Sequence, residues 1–184
     1  MKIFSYFILF LLIVGFCSAD VVDKATGESF PGQVSFDDYT LNATGVSTRK
    51  KLMFKVYSVA SYLQENGDTS GDKFQQIMNP KNAKQLILVW VRDVDAAKVQ
   101  GGFKNSLKSN AAPAAETDTF VSFFSDVSKG DKHVLRWIPG DEIEVEINGS
   151  SAGTIKNEAF AKALWMIWFG NKSVVKRDQL VSLM

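Results

Sequence analysis

The strongest pattern in the chain runs from Ser47 to Leu63, STRKKLMFKVYSVASYL, where a basic cluster passes into a β-branched and aromatic run. Read as one central strand, a period of two places Leu52, Phe54, Val56, Ala60 and Tyr62 on one face. Arg49, Lys51, Met53, Lys55, Tyr57, Val59 and Ser61 fall on the other. The first set is a core face. The second mixes a guanidinium, ammoniums and a phenol with Met53 and Val59, which suits either a half-solvated strand face or the wall of an apolar cleft with a cationic end.

The remaining pattern is α+β. Lys24-Ala25-Thr26-Gly27 and Pro31-Gly32 are turn sequences, and Gln33 to Leu41 reads as one or two short strands around Asp37-Asp38. Asp72 to Met78 predicts a short helix that stops before Pro80. Lys84 to Val94, KQLILVWVRDV, is apolar on both faces and so predicts a second central strand. Asp95 caps a helix through about Lys108, with Val99, Phe103 and Leu107 on one stripe, and Asn110 to Ala115 links it to a helix over Glu116 to Val127. His133 to Ile138, Asp141 to Ile147 and Gly153 to Ile155 read as strands joined at Pro139-Gly140 and Asn148-Gly149, the latter a strong hairpin signal. Asn157 caps a helix that ends at Gly170, and a last amphipathic helix is predicted from about Val175. Strands, two helices, a meander and further helices suggest an antiparallel sheet with its helices on one face.

Met1 to Ala19 stands outside this pattern. Lys2 precedes an apolar or small run from Ile3 to Phe16, and Cys17-Ser18-Ala19 follows, which is the layout of a cleavable secretory signal with cleavage after Ala19. The run is short for a membrane span, so no integral span is expected in the mature chain. The expected localisation is secreted or periplasmic. About 165 residues, 20 to 184, remain as one domain.

Composition narrows the chemistry. Cys17 is the only cysteine, so a mature chain has no disulfide, no thiolate nucleophile and no cysteine-ligated metal. His133 is the only histidine, which argues against a histidine-rich metal site and reads better as a strand residue than as a catalytic base. Removal of Lys2 leaves 20 basic against 20 acidic residues, and an interspersed neutral chain gives no footprint for nucleic acid or for an anionic membrane surface. Glu142, Glu144 and Glu146 alternate with Ile143, Val145 and Ile147, the signature of a solvated strand face rather than of a glycosidase pair. No glycine-rich phosphate loop follows a strand.

Several blocks, in order, carry a family resemblance: TRKKLMFKVYSVASYL, LVWVRDV with the following Lys98-Val99, KGDKHVLRWIPG, INGSSAGTI and FAKALWMIWFGNKSV. Together they resemble the chalcone isomerase-like family, in its secreted, bacterial-type branch, from about Gly32 onward. The resemblance implies an open-faced β-sandwich: a large antiparallel sheet, a layer of helices packed on one face, and a ligand cleft between them. It also implies one of two functions. Plant members resemble intramolecular lyases that use an arginine and a water network; others look like fatty-acid-binding proteins in which arginine and tyrosine grip a carboxylate.

Carried onto this sequence, the family arginine falls on Arg49, after Thr44-Gly45-Val46-Ser47-Thr48, and the strand position of the enzymes' threonine is held by Tyr57, as in the fatty-acid-binding members. Asp95 or Ala96 stands where the enzymes' tyrosine would be, and Gly102 or Phe103 near their asparagine, so the groups that acid-base work on a phenol needs are missing. The expectation is an exported protein that binds a hydrophobic carboxylate such as a fatty acid, without catalysis and without a cofactor or metal. The alternatives are an intramolecular lyase acting on an enone or phenol, and an interaction module with no small ligand. The candidate ligand-binding residues are Arg49, Tyr57, Arg92, Met53 and Trp90. Eight residues of straight strand span about 26 Å, so Arg49 and Tyr57 meet only across a bend or bulge near Ser47 to Lys51. Arg92 is the other candidate anchor, unless it serves as a surface partner of Asp93 or Asp95.

Overall fold

The computed structural model describes residues 19–184, and the predicted leader lies outside the described residues apart from Ala19. A short hairpin, β1 (Val21–Val22) with β2 (Ser29–Phe30), precedes a seven-stranded antiparallel sheet. The sheet is a pure meander in the order β3 (Gln33–Phe36), β4 (Tyr39–Lys51), β5 (Phe54–Gln64), β6 (Lys84–Trp90), β7 (Lys132–Ile138), β8 (Glu142–Ile147) and β9 (Ser150–Lys156). Helices α1 (Lys73–Met78), α2 (Ala96–Ser109), α3 (Ala114–Ser122) and α4 (Glu158–Phe169) occupy the connections and the C-terminal region. β6, apolar on both faces, takes the middle of the sheet, as its sequence predicts.

The largest departure from the sequence reading concerns the Ser47 to Leu63 run. It is not one strand but the two arms of a hairpin, with Lys51 paired to Phe54 and Leu52-Met53 as the turn. Nothing in the run marks a turn, because the residue at positive φ, +56°, is Leu52, where glycine is the usual occupant. From Tyr57 onward the alternation along β5 survives, with both faces buried, whereas Val56, skipped by the ladder at the register shift, packs on the same core as Tyr57. Tyr57, Val59 and Leu63 join the main core, and Ala60 and Tyr62 join a smaller cluster with Phe30, Leu41, Ile87 and Val134 on the opposite face.

The main core lies between the sheet and the helices. The stripe Val99, Phe103 and Leu107 of α2 packs with Phe120 and Phe124 and with a nearly all-apolar α4. The aromatic rings interlock: Phe103 stacks on Phe124 at 4.8 Å and meets Trp168 edge-on at 6.3 Å. Caps set the helix starts. Asn157 accepts from the Phe160 amide at 3.0 Å, and Asp72 forms a reciprocal capping box with Gln75. Asp95 instead turns outward to pair with Lys98, and Asp126 accepts from the Ala96 amide at 2.6 Å.

The other face is covered at one end only. Asp23, in the β1–β2 loop, accepts from Thr48 at 2.6 Å and Ser58 at 2.7 Å, tying the loop to β4 and β5. Burial pushes its carboxyl up, but these bonds with those from Ala25 and Thr26 outweigh it and hold the pKa below the usual value. Toward β8 that face turns polar, where Arg136 donates to Gln85 at 2.9 Å and to Glu146 at 2.8 Å. The glutamates of β8 therefore belong to an ion-paired sheet face. The predicted C-terminal helix is a single 3-10 turn, Arg177–Val181, laid against β4. Gly45 permits that approach: its φ is +154°, and a Cβ there would sit 2.1 Å from the Gln179 carbonyl oxygen. Among the described residues no helix is long and apolar enough to cross a membrane.

Candidate ligand-binding site

The site follows from the hairpin. Antiparallel pairing sets Arg49 of β4 directly opposite Tyr57 of β5, and Tyr57 opposite Trp90 of β6, so three adjacent strands present these side chains to one face. A register shift between Arg49 and Lys50 interrupts the ladder beside the guanidinium. Over this corner α2 supplies a wall through Val99, Gly102, Phe103 and Ser106, and α4 contributes Ile167. The result is a cleft of about 290 Å³, walled mostly by apolar side chains.

Tyr57 is buried on its floor. Trp168 donates its indole N–H to the phenol oxygen at 3.1 Å, which leaves the O–H of Tyr57 free to donate. Burial raises the hydroxyl above its ordinary pKa of 10.0, against the opposing Arg49 charge and the Trp168 bond, so the phenol stays protonated. Trp90 meets the Tyr57 ring edge-on at 5.4 Å and donates to Nδ1 of His133 at 3.2 Å. His133 is thereby a buried acceptor behind the cleft wall. Burial pushes its imidazole down to about 4, with Asp131 pulling the other way. A neutral ring with an unprotonated Nδ1 is what the Trp90 bond requires.

Cationic side chains line the cleft. The Arg49 guanidinium carbon lies 5.9 Å from the Tyr57 ring centre, and Arg49 has no carboxylate partner among the described residues. Arg92 is exposed at the rim, its guanidinium 4.8 Å from the Phe54 ring centre. It pairs with neither of its suggested acids: Asp95 holds Lys98, and Asp93 accepts from the Lys129 amide at 2.8 Å. Lys51 and Lys98 also line the cleft, against a single lining carboxylate, Asp93.

Four of the five sequence candidates, Arg49, Tyr57, Trp90 and Arg92, thus come together around one cleft. Met53 does not. Its assignment assumed an unbroken strand through Leu52, whereas the turn there leaves Met53 85% exposed and outside the lining. The candidate ligand-binding residues read from the sequence omit Trp168, whose role depends on α4 reaching over Tyr57, and Phe54, which the turn brings beside Arg92. Val99 and Phe103, read from the sequence as one apolar stripe of α2, form part of the cleft wall as well as of the core.

An antiparallel sheet backed by helices, with a cleft between the layers that arginine and a buried tyrosine help to line, defines an open-faced β-sandwich. The model of the chalcone isomerase-like family matches residues 22–180, and the chain belongs to that family. No curated protein matches it. Among solved structures it is similar to the crystal structure of an Arabidopsis thaliana fatty-acid binding protein, with a TM-score of 0.74 at 20% identity. The match covers 89% of this chain and 96% of that one, and at this identity it shows the shared fold.

Proposed function

We propose that this protein is an exported carrier that binds a hydrophobic carboxylate, such as a fatty acid, in the cleft between α2 and the sheet, without turnover. The observation that supports this most is an arginine free of any carboxylate among the described residues, set beside a buried phenol in a mostly apolar cleft. The planar guanidinium suits both oxygens of a carboxylate, and the Tyr57 hydroxyl suits a further donated bond. The acyl chain would run along Val99, Phe103 and Ile167 and supply most of the affinity, at roughly 0.8 kcal/mol per buried methylene. A fatty-acid binding protein of the same fold lends support, as does the apolar leader for export.

The absence of turnover rests on the lining. His133 is engaged by Trp90 outside the cleft, Tyr57 is held protonated, and the one lining carboxylate, Asp93, is exposed and already accepts from the Lys129 amide, so the slot offers mainly donors and cations. Native mass spectrometry of protein from a lipid-containing host should show a retained acyl species. Exchange with free fatty acids in solution should then give saturable binding that Arg49→Gln weakens by about tenfold to a hundredfold, the loss of a charge-assisted contact. No retention and no uptake across several chain lengths would overturn the carrier reading. Cyclisation of an enone that slows on Arg49→Gln would replace it with the lyase.

A further inference from the structure

The tip of the β4–β5 hairpin does three things that folded chains avoid. It exposes apolar side chains in a row: Leu52 is 91% exposed, Met53 85% and Phe54 53%, so three consecutive residues make up most of the exposed large hydrophobics among the described residues. It places a leucine at φ +56° in the first position of a two-residue turn, where a Cβ is a steric cost. It also sets two like charges face to face, since Lys50 pairs with Lys55 across the ladder.

Charge is concentrated around that apolar tip. From Tyr39 to Gln64 the sequence has Arg49, Lys50, Lys51 and Lys55 and no acidic residue, and Arg92 adds a fifth cation beside Phe54. None of the five forms an ion pair among the described residues, although Lys55 donates to the Ala25 carbonyl. The near neutrality of the whole chain therefore conceals a local basic patch that surrounds an apolar point.

We propose that this hairpin tip docks on an anionic lipid bilayer, with Leu52 and Met53 entering the interface and the surrounding cations facing lipid phosphates. An apolar insertion and a basic collar are the two signals that together hold a protein at a membrane surface. Docking would also set the mouth of the cleft against the bilayer, because Lys51, Leu52 and Phe54 line it. The docking itself stands on the tip alone; the exchange of an acyl chain through that mouth rests on the carrier reading.

The test is co-sedimentation of the purified protein with vesicles of phosphatidylcholine alone and of phosphatidylcholine with phosphatidylglycerol. Residues 1–18 are common to every arm, so differences between variants read the tip. Binding to the anionic vesicles should exceed that to neutral ones by about tenfold or more and fall with added salt. Met53→Ser and Lys50→Glu, at positions outside the cleft lining, should each cut it, the charge reversal by about tenfold or more. Lys50→Glu would meanwhile place opposite charges across the ladder, so the thermal midpoint should hold or rise while vesicle binding falls. Equal binding to both compositions overturns the proposal. So does a dimer in size-exclusion chromatography that Met53→Ser dissolves, which would assign the tip to a second copy. Acyl uptake in vesicle-free solution separates the two readings: uptake without anionic preference ends the docking alone, and anionic preference without uptake ends the carrier alone.

Discussion

Arg49 and Tyr57 are eight positions apart in the chain and directly opposed across the β4–β5 ladder, with the guanidinium carbon 5.9 Å from the phenol ring centre. The turn at Leu52-Met53 converts a separation of about 26 Å along a strand into a cross-strand neighbour at roughly 5 Å. A cation and a hydroxyl can then act on one anion. One further strand and one helix are not needed for that pair, but they decide its setting: Trp90 of β6 closes one side of Tyr57, and Trp168 of α4 fixes its oxygen.

Removal of that oxygen tests the coupling between site and core. Tyr57→Phe keeps the ring and its packing but leaves the buried Trp168 N–H without its acceptor. An unsatisfied buried donor costs about 1–3 kcal/mol. Urea denaturation should show a loss of that size with the m-value unchanged. No change in midpoint would mean that Trp168 finds another partner and that the phenol oxygen is not held from above.

Gly102 gives the opposite sign on stability. It sits within α2 with nothing within 4 Å of where its Cβ would be, and it lines the cleft. Gly102→Met should strengthen the helix by roughly 0.5–1 kcal/mol, since glycine is a poor interior helix residue. The new side chain would project into the slot, so fatty-acid uptake should fall sharply while the thermal midpoint rises. Uptake that survives the substitution would move the ligand out of this cleft.

Lys84 makes stability depend on pH. It is fully buried at the start of β6, its ammonium 3.8 Å from the Trp137 ring centre and donating to the Asn79 carbonyl. Burial lowers its pKa from 10.5 to about 7, with Asp141 pulling the other way. Between those values the unfolded chain binds a proton at this site that the folded chain releases, so stability rises with pH. It should climb from about pH 7 toward pH 10.5, by up to about 1.4 kcal/mol per unit, and the gain should be lost as pH falls back through 7. Lys84→Met should flatten this slope and raise stability at neutral pH, checked by denaturation midpoints at several pH values. An unchanged slope would show that the lysine finds water in the folded state.

Most of the fold was legible because period and turn chemistry agreed. KQLILVWV announced the central strand, Asn148-Gly149 the β8–β9 hairpin, and Asn157 with Gly170 the limits of α4. The β4–β5 turn was not legible, since its two residues are leucine and methionine in a run with strand-like alternation throughout. That single misreading placed Met53 in the site and left the meeting of Arg49 and Tyr57 dependent on a bend or bulge near Ser47 to Lys51, just short of the turn itself. The hydrogen bonds of Trp168 and His133 were not legible for another reason. Their partners lie 111 and 43 positions away, and no local pattern encodes which indole reaches which acceptor. The final helix failed because Gly45 lets the C-terminal backbone lie against β4, where Thr44 donates to the Leu180 carbonyl and accepts from the Leu183 amide in place of a helical ladder.

That last contact also bears on the order in which the molecule assembles. Every neighbour in the seven-stranded meander is also the next strand in sequence, so most of the ladder can grow by short-range steps, with β6 and β7 meeting once α2 and α3 have been passed. Thr44 and Leu180, joined at 2.7 Å, are separated by 136 positions and must wait for the end of the chain. The tail thus completes the structure late, and a polypeptide stopped before Gln179 would carry a finished sheet whose β4 edge still faces water.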